Sequence, residues 1–181
     1  MQSSFVAKLL SQLQNDGIHT AIDTCGHTSP DALNGILPYA NLVLFDLKEM
    51  DSECHRVFTG KGNARILNNA KGVAAFVKKN NGSIDMWVRT PIIPDATDSE
   101  KNIMAIGAFI ANELDSVPVR WELCAFNNFC RDKYERLGME WNYRDAKLIT
   151  HERMETLASV ARAPGVTPDI VHWSGPVRYE S

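Results

Sequence analysis

The sequence lacks both a long apolar run and a charge excess of either sign. Its longest apolar stretches, such as 103–110, are far shorter than the roughly 20 residues that cross a bilayer. The N-terminus has no basic region followed by an apolar block. Nineteen basic and 22 acidic residues give a net charge of −3, which does not favour phosphate-backbone binding. We therefore expect a cytoplasmic protein that binds neither membranes nor nucleic acids.

The sequence also has few cysteines, and their spacing is not that of a metal-binding loop. The four are Cys25, Cys54, Cys124 and Cys130. In a chain without an export signal, cysteines normally stay reduced. Cys25 and Cys124 fall at predicted strand ends, but no segment carries the tight spacing that holds several irons of a cluster. Free thiols are the expectation.

What the sequence does contain is an alternation of helical and extended segments. Helical spacing of apolar residues is found in 5–13, 33–37, 66–77, 103–114 and near 150–162, and extended segments in 18–23, 41–48, 84–93 and 117–126. The expected helix starts are Ser29 with Pro30, Asp51, and a capping box of Thr97 with Glu100. Strands joined by helices of this length predict an α/β protein with about four parallel strands and flanking helices.

Charged residues close two of the predicted strands. Because side chains alternate along a strand, Asp46 and Lys48 share one side, while Phe45 and Leu47 take the other. Asp23 closes the neighbouring strand. Ligands of parallel α/β proteins bind where strands end, so these groups are candidates for a binding site. The alternative is an ion pair that only solvates a strand end.

These strand ends read Asp23-Thr24-Cys25-Gly26 and Asp46-Leu47-Lys48, and they resemble the D-T-x-G and D-L-K strings of the glycyl radical enzyme activating enzymes. Those proteins are radical S-adenosylmethionine enzymes related to the pyruvate formate-lyase activase. The resemblance implies that Lys48 binds the methionine carboxylate of S-adenosylmethionine. It also implies that Asp23, Thr24 and Asp46 line the cofactor and a possible monovalent cation site.

Three further segments resemble the same family. Residues 87–94 are similar to its W-I-R-x-x-x-x-P strand, which makes Arg89 a candidate cofactor contact, although arginine on such a strand is as often a structural partner of an acid. Residues 55–63 are similar to H-x-x-x-T-G-x-x-N, and 122–138 to E-L-L-P-Y-H…K-Y…L-G. Asn127 stands where the family commonly has a histidine near the adenosine. The matches cover roughly 5–148, in order.

Two family motifs are missing from the sequence. One is the C-x-x-x-C-x-x-C loop that binds a [4Fe-4S] cluster, and the other is G-G-E-P, which would fall just before Met1. A truncated gene, a gene fragment or an internal start would explain this. The resemblance implies that residues 1–149 form a partial (β/α) barrel of the radical S-adenosylmethionine type, with 150–181 as a helix and tail packed on the same domain.

The resemblance also implies a function. Intact family members reductively cleave S-adenosylmethionine and generate a glycyl radical on a partner enzyme. This chain is expected to be the C-terminal portion of such an activase, inactive alone and complemented by a separate N-terminal piece. Two alternatives remain open. Lys48 could be the Schiff-base amine of an aldolase-like barrel, although a neighbouring carboxylate opposes the required free amine. The chain could also be a non-catalytic module that docks on a glycyl radical enzyme.

Overall fold

The computed structural model describes residues 2–163 and 165–180 of the chain. The described part is a five-stranded parallel sheet whose strands follow one another in chain order. The strands are β1 (Ala21–Thr24), β2 (Leu42–Asp46), β3 (Asp85–Ile92), β4 (Arg120–Ala125) and β5 (Val171–Ser174). This arrangement confirms the α/β class, and four of the strands lie where the sequence predicts them.

Seven α-helices connect and follow the strands in the described residues. They are α1 (Ser3–Asn15), α2 (Pro30–Asn34), α3 (Ser52–Thr59), α4 (Ala64–Lys79), α5 (Glu100–Glu113), α6 (Arg131–Arg136) and α7 (His151–Ala161). Short 3-10 turns occupy Leu37–Tyr39 and Pro168–Ile170. None of the described helices has the length and apolar character that a membrane crossing requires.

The expectation of about four strands is corrected to five. The predicted tail of 163–181 contains β5, which pairs in parallel with β4, and a bridge joins Thr150 to Arg178. Four residues after a proline-containing turn give too short a pattern to identify alone, and the strand is defined by its partner. Residues 164 and 181 of this tail lie outside the described residues.

The predicted helix starts are borne out in two of three cases. The Ser29 hydroxyl accepts a hydrogen bond from the Ala32 amide, with Pro30 in the first turn. Asp51 caps α3. The capping box of Thr97 and Glu100 is wrong, because Ser99 caps α5 by accepting from the Asn102 amide. The Thr97 hydroxyl instead donates to the Pro91 carbonyl and accepts from the Ile93 amide at 2.9 Å.

The sheet buries one face under the helices and leaves the other partly open. Val43, Phe45, Val88 and Trp121 are fully buried on the helix-covered face. The alternate residues of β2, β3 and β4 are only half-buried. Successive adjacent strands with crossovers of one hand place every connecting helix on the same side of the sheet. The open face is therefore the surface on which polar side chains can meet a ligand.

Candidate functional site

A row of charged residues crosses the open face of the sheet. Arg89 on β3 lies opposite Asp46 on β2 and opposite Glu122 on β4, and Glu122 lies opposite His172 on β5. Each pair shares a sheet register position, so the four side chains project from the same face. Asp46 is the last residue of β2, at the carboxyl end where parallel sheets bind ligands, while Arg89, Glu122 and His172 lie within their strands.

Two short ion pairs tie the predicted site residues together. Lys48 Nζ lies 2.7 Å from Asp46 Oδ2, and Arg89 Nη1 lies 2.7 Å from Asp23 Oδ2. Arg89 Nε is 4.0 Å from Asp46 Oδ1, which is too long for a hydrogen bond. Asp23, Asp46, Lys48 and Arg89 therefore form one cluster, with Arg89 between the two aspartates.

Within the described part of the chain, the second carboxylate oxygen of Asp46 has no hydrogen-bond partner. Asp46 keeps only 17% of its side-chain surface exposed, against 61% for Asp23. Its Oδ1 is buried and accepts no hydrogen bond among the described residues. A buried carboxylate oxygen without a donor is costly, and such atoms in native proteins commonly contact an ordered water or an ion. Asp46 Oδ1 is thus the open acceptor of the cluster.

A cavity of about 260 Å³ lies beside Asp46 and Lys48. The loop after β1 contributes Cys25 and His27 to its wall, and α3 with its following loop contributes His55 and Lys61. The cavity therefore lies between two loops that leave the carboxyl ends of adjacent strands, the usual position of a ligand pocket in parallel sheets.

His55 is held in a defined orientation in the cavity wall. The residue is buried, and its Nδ1 lies 2.6 Å from the Lys61 carbonyl oxygen and 2.9 Å from the Thr59 hydroxyl. The carbonyl can only accept, so Nδ1 carries a hydrogen and donates it to Lys61. Sequence reasoning assigned no role to His55, although its position soon after Lys48 was a usable signal.

The ion-pair cluster also changes the titration of neighbouring groups. Burial of the Arg89 guanidinium opposes its charge, but hydrogen bonds to Cys124 and Asp23 and the Asp23 charge raise the pKa of Arg89 above its usual value. Burial raises the pKa of the Cys124 thiol, against the hydrogen bond and charge of Arg89. Arg89 therefore remains a cation.

The remaining two predicted site residues do not join this cluster. The Thr24 side chain is buried, and its hydroxyl accepts from the Gly26 amide at 3.0 Å. Asn127 follows β4, and its Oδ1 accepts from the Phe129 amide at 3.2 Å. In the structure, both side chains thus hydrogen-bond the backbone of their own loops.

All four cysteines are free thiols, as expected from the sequence. Across residues 2–163 and 165–180, no group of three or more histidine, cysteine, aspartate or glutamate side chains could hold a metal ion. The thiols of these residues do not fit a [4Fe-4S] cluster, which needs several clustered cysteine ligands.

The fold and the cluster define a parallel α/β protein with a cluster of charged side chains near the carboxyl ends of its first two strands. No family model matches the sequence. The (2S)-3-sulfopropanediol dehydratase activating enzyme of Klebsiella oxytoca is 32% identical, and the alignment covers 82% of this chain and 45% of that protein. The pyruvate formate-lyase-activating enzyme of Clostridium pasteurianum is 32% identical, with coverage of 87% and 62%.

A solved structure gives the same result at the level of fold. It is a domain of the pyruvate-formate lyase-activating enzyme from Bacteroides vulgatus, with a TM-score of 0.73 and 22% identity. The match covers 96% of this chain and 91% of that one. The chain therefore belongs to the family of the glycyl radical enzyme activating enzymes. It spans about half the length of the curated relatives it matches.

Proposed function

We propose that this chain is the S-adenosylmethionine-binding part of an activase that generates a glycyl radical on a partner enzyme. The observation that carries the proposal is the pair of Asp46 and Lys48 beside the cavity, with Asp46 Oδ1 buried and unpartnered within the described residues. The family of the relatives supplies the identity of the ligand.

The residues present fit a zwitterionic ligand. Lys48 is the cation for the ligand carboxylate, and Asp46 Oδ1 is an acceptor for the ammonium group. Arg89 holds Asp23 by an ion pair and keeps a charged guanidinium on the open face for carboxylate or ribose oxygens. Asn127, past the end of β4, is the proposed amide contact for the adenosine. S-adenosylmethionine supplies the sulfonium centre on which the family's radical chemistry depends.

The aspartates and Thr24 are also the proposed ligands of a monovalent cation. Asp46 Oδ1 suits this role as an oxygen donor without a partner among the described residues. Asp23 Oδ2 is already paired with Arg89, so Asp23 would bind the cation mainly through its other carboxylate oxygen. The Thr24 hydroxyl accepts from the Gly26 amide and retains a second lone pair.

The described residues do not fit the cluster, so we derive no step through it. We infer that a segment carrying the cluster cysteines, such as a separate N-terminal piece, joins this chain at β1. Among the described residues, β1 pairs only with β2, which leaves an edge that accepts another strand. The complementing segment and the partner's glycine loop complete the enzyme, and this chain alone is inactive.

The aldolase alternative gains no support from the geometry. Lys48 Nζ lies 2.7 Å from Asp46 Oδ2, so the nitrogen that would have to attack a carbonyl carbon is already engaged by a carboxylate. The alternative of a non-catalytic docking module gives no role to Asp46 Oδ1, the buried oxygen beside the cavity that lacks a hydrogen-bond donor among the described residues.

Calorimetric titration with S-adenosylmethionine tests the proposal. Lys48→Met should weaken binding about tenfold, as expected for loss of one charge-assisted contact. Lys79→Met, which removes an exposed lysine at the end of α4, should leave the dissociation constant within about twofold. Anaerobic reconstitution with iron and sulfide should yield no 5′-deoxyadenosine from this chain alone. Equal binding by all three proteins would reject the site, and deoxyadenosine formation would reject the inactivity.

A further inference from the structure

The loop that carries Lys48 is fastened to the helices by a buried asparagine of α5. Asn102 is only 3% exposed. Its Nδ2 donates to the Lys48 carbonyl at 2.8 Å and to the Thr97 carbonyl at 3.2 Å. Its Oδ1 accepts from the Met50 amide at 3.0 Å. One side chain therefore binds both ends of the tripeptide that begins at Lys48.

A second buried asparagine holds the same tripeptide from another direction. Asn63 at the start of α4 is also 3% exposed. Its Nδ2 donates to the Glu49 carbonyl at 2.9 Å and to the Met50 carbonyl at 2.8 Å. All three carbonyls of the tripeptide thus accept from buried side-chain amides, and water competes poorly for such bonds.

Asn102 also joins the Lys48 loop to the strand that carries Arg89. Asn102 donates to the Thr97 carbonyl. The Thr97 hydroxyl in turn hydrogen-bonds the Pro91 carbonyl and the Ile93 amide at the end of β3. The Leu47 amide donates to the Arg89 carbonyl at 2.9 Å. The backbone of Lys48 is therefore fixed relative to Arg89, and the ammonium group is held against Asp46.

We propose that Asn102 is a positioning residue for Lys48, assisted by Asn63, and that it sets where the lysine ammonium meets the bound ligand. The identity of that ligand rests on the proposed function. The role requires a group that donates and accepts at once, because Lys48 and Thr97 offer carbonyls and Met50 offers an amide. A carboxylate of the same shape accepts only, and an aliphatic side chain does neither.

Lysine labelling tests the positioning without any ligand. Wild type, Asn102→Asp and Asn63→Ala are treated with trace acetic anhydride, and the rate at Lys48 is measured by mass spectrometry relative to exposed Lys8. Asn102→Asp should accelerate labelling of Lys48 about fivefold, because the loop opens and the ammonium leaves Asp46 more often. Asn68→Ala, which removes an exposed amide on α4, should leave the rate unchanged.

A second experiment measures the affinity of the same variants for S-adenosylmethionine. Asn102→Asp should weaken its affinity about fivefold when Lys48 is present and less than about twofold in the Lys48→Met background, since residues that act through one another are not additive. Unchanged Lys48 labelling in a folded Asn102→Asp protein, with only a lower melting temperature, would overturn the positioning role. If that variant does not fold, Asn63→Ala decides the question by the same labelling rate.

The proposed S-adenosylmethionine site and the positioning role of Asn102 can be rejected independently. If Lys48→Met binds S-adenosylmethionine as well as wild type, the proposed site is rejected, while the labelling rates still decide whether Asn102 positions Lys48.

Discussion

At the scale of the residue, Gly26 is the position in the loop after β1 that tolerates least change. Its φ is +68°, and a Cβ built there would lie 2.2 Å from Cζ of Phe45, whose ring is fully buried. The ring cannot move without disturbing the core, so Gly26→Ala should destabilise the protein by about 2–4 kcal/mol. Urea denaturation followed by circular dichroism measures the change in free energy of unfolding.

Substitutions at two other glycines distinguish backbone strain from steric contact as the cause of the lost stability. Gly60 has a φ of +76° and nothing within 4 Å of where an added methyl group would lie, and Gly72 lies in α4 with open space around it. Gly60→Ala should cost about 1 kcal/mol from backbone strain alone, and Gly72→Ala should be neutral or stabilising by up to about 1 kcal/mol. If Gly26→Ala lowers the free energy of unfolding by no more than Gly60→Ala does, the Phe45 ring can move to accommodate the added methyl group.

The charge pattern predicted that the charged side chains would cluster, but only the strand register shows how they pair. Alternation along β2 placed Asp46 and Lys48 on one side, and they lie 2.7 Å apart. The sequence could not show that Arg89 lies opposite Asp46 and reaches Asp23, because the offset between strands is set by three-dimensional packing. The roles of the buried Asn63 and Asn102 amides could not be predicted from the sequence for the same reason, since their backbone partners are remote in sequence.

At the scale of the element, α3 depends on Asp51, whose Oδ1 accepts from the Glu53 amide at 2.9 Å and from the Cys54 amide at 3.0 Å. Hydrogen bonds from the Cys54 and Glu53 backbone lower the pKa of Asp51. The folded protein therefore favours the carboxylate, and this stability is present above the ordinary pKa of aspartate and lost as pH falls through the lowered value. Asp51→Ala should lower the melting temperature at pH 7 by a few degrees.

The pH dependence identifies the carboxylate as the cap. The difference in melting temperature between wild type and Asp51→Ala should shrink as the pH is lowered below about 4, because the wild-type cap becomes protonated. Asp51→Asn is the matched control, since its amide oxygen accepts the same bonds and does not titrate. Its advantage over Asp51→Ala should be the same at every pH, and a wild-type difference that also stays constant would show that the Asp51 charge is irrelevant.

Elements with strong local signals were predicted well, and those defined by distant partners were not. The α7 helix begins after Thr150, whose hydroxyl accepts from the Arg153 amide, close to the predicted start. The α1 helix was predicted from its apolar residues, yet only Leu10 among them is buried. The β5 strand had no recognisable pattern and is defined by its pairing with β4. Periodicity predicts that an element forms but not which neighbour covers it.

At the scale of the whole molecule, one group of exposed apolar side chains lies in the segment that precedes β1. Phe5 and Leu9 lie one helical turn apart on α1 and are 61% and 45% exposed, and Ile18, just before β1, is also exposed. These residues precede β1 in the chain, and β1 pairs on one side only among the described residues. Exposed apolar side chains and an open strand edge each favour association with another chain.

We therefore expect the isolated chain to self-associate through α1 and β1. Sedimentation velocity should show a sedimentation coefficient that rises with protein concentration. The double variant Phe5→Glu with Leu9→Glu should abolish that rise while leaving the circular dichroism spectrum unchanged, because both side chains already face solvent. Phe129→Ser is the control: it removes a phenylalanine that is 78% exposed beyond β4 and should leave the association intact. A wild-type protein that stays monomeric at every concentration, or an equal effect of the control, would show that the β1 end of the sheet is not adhesive.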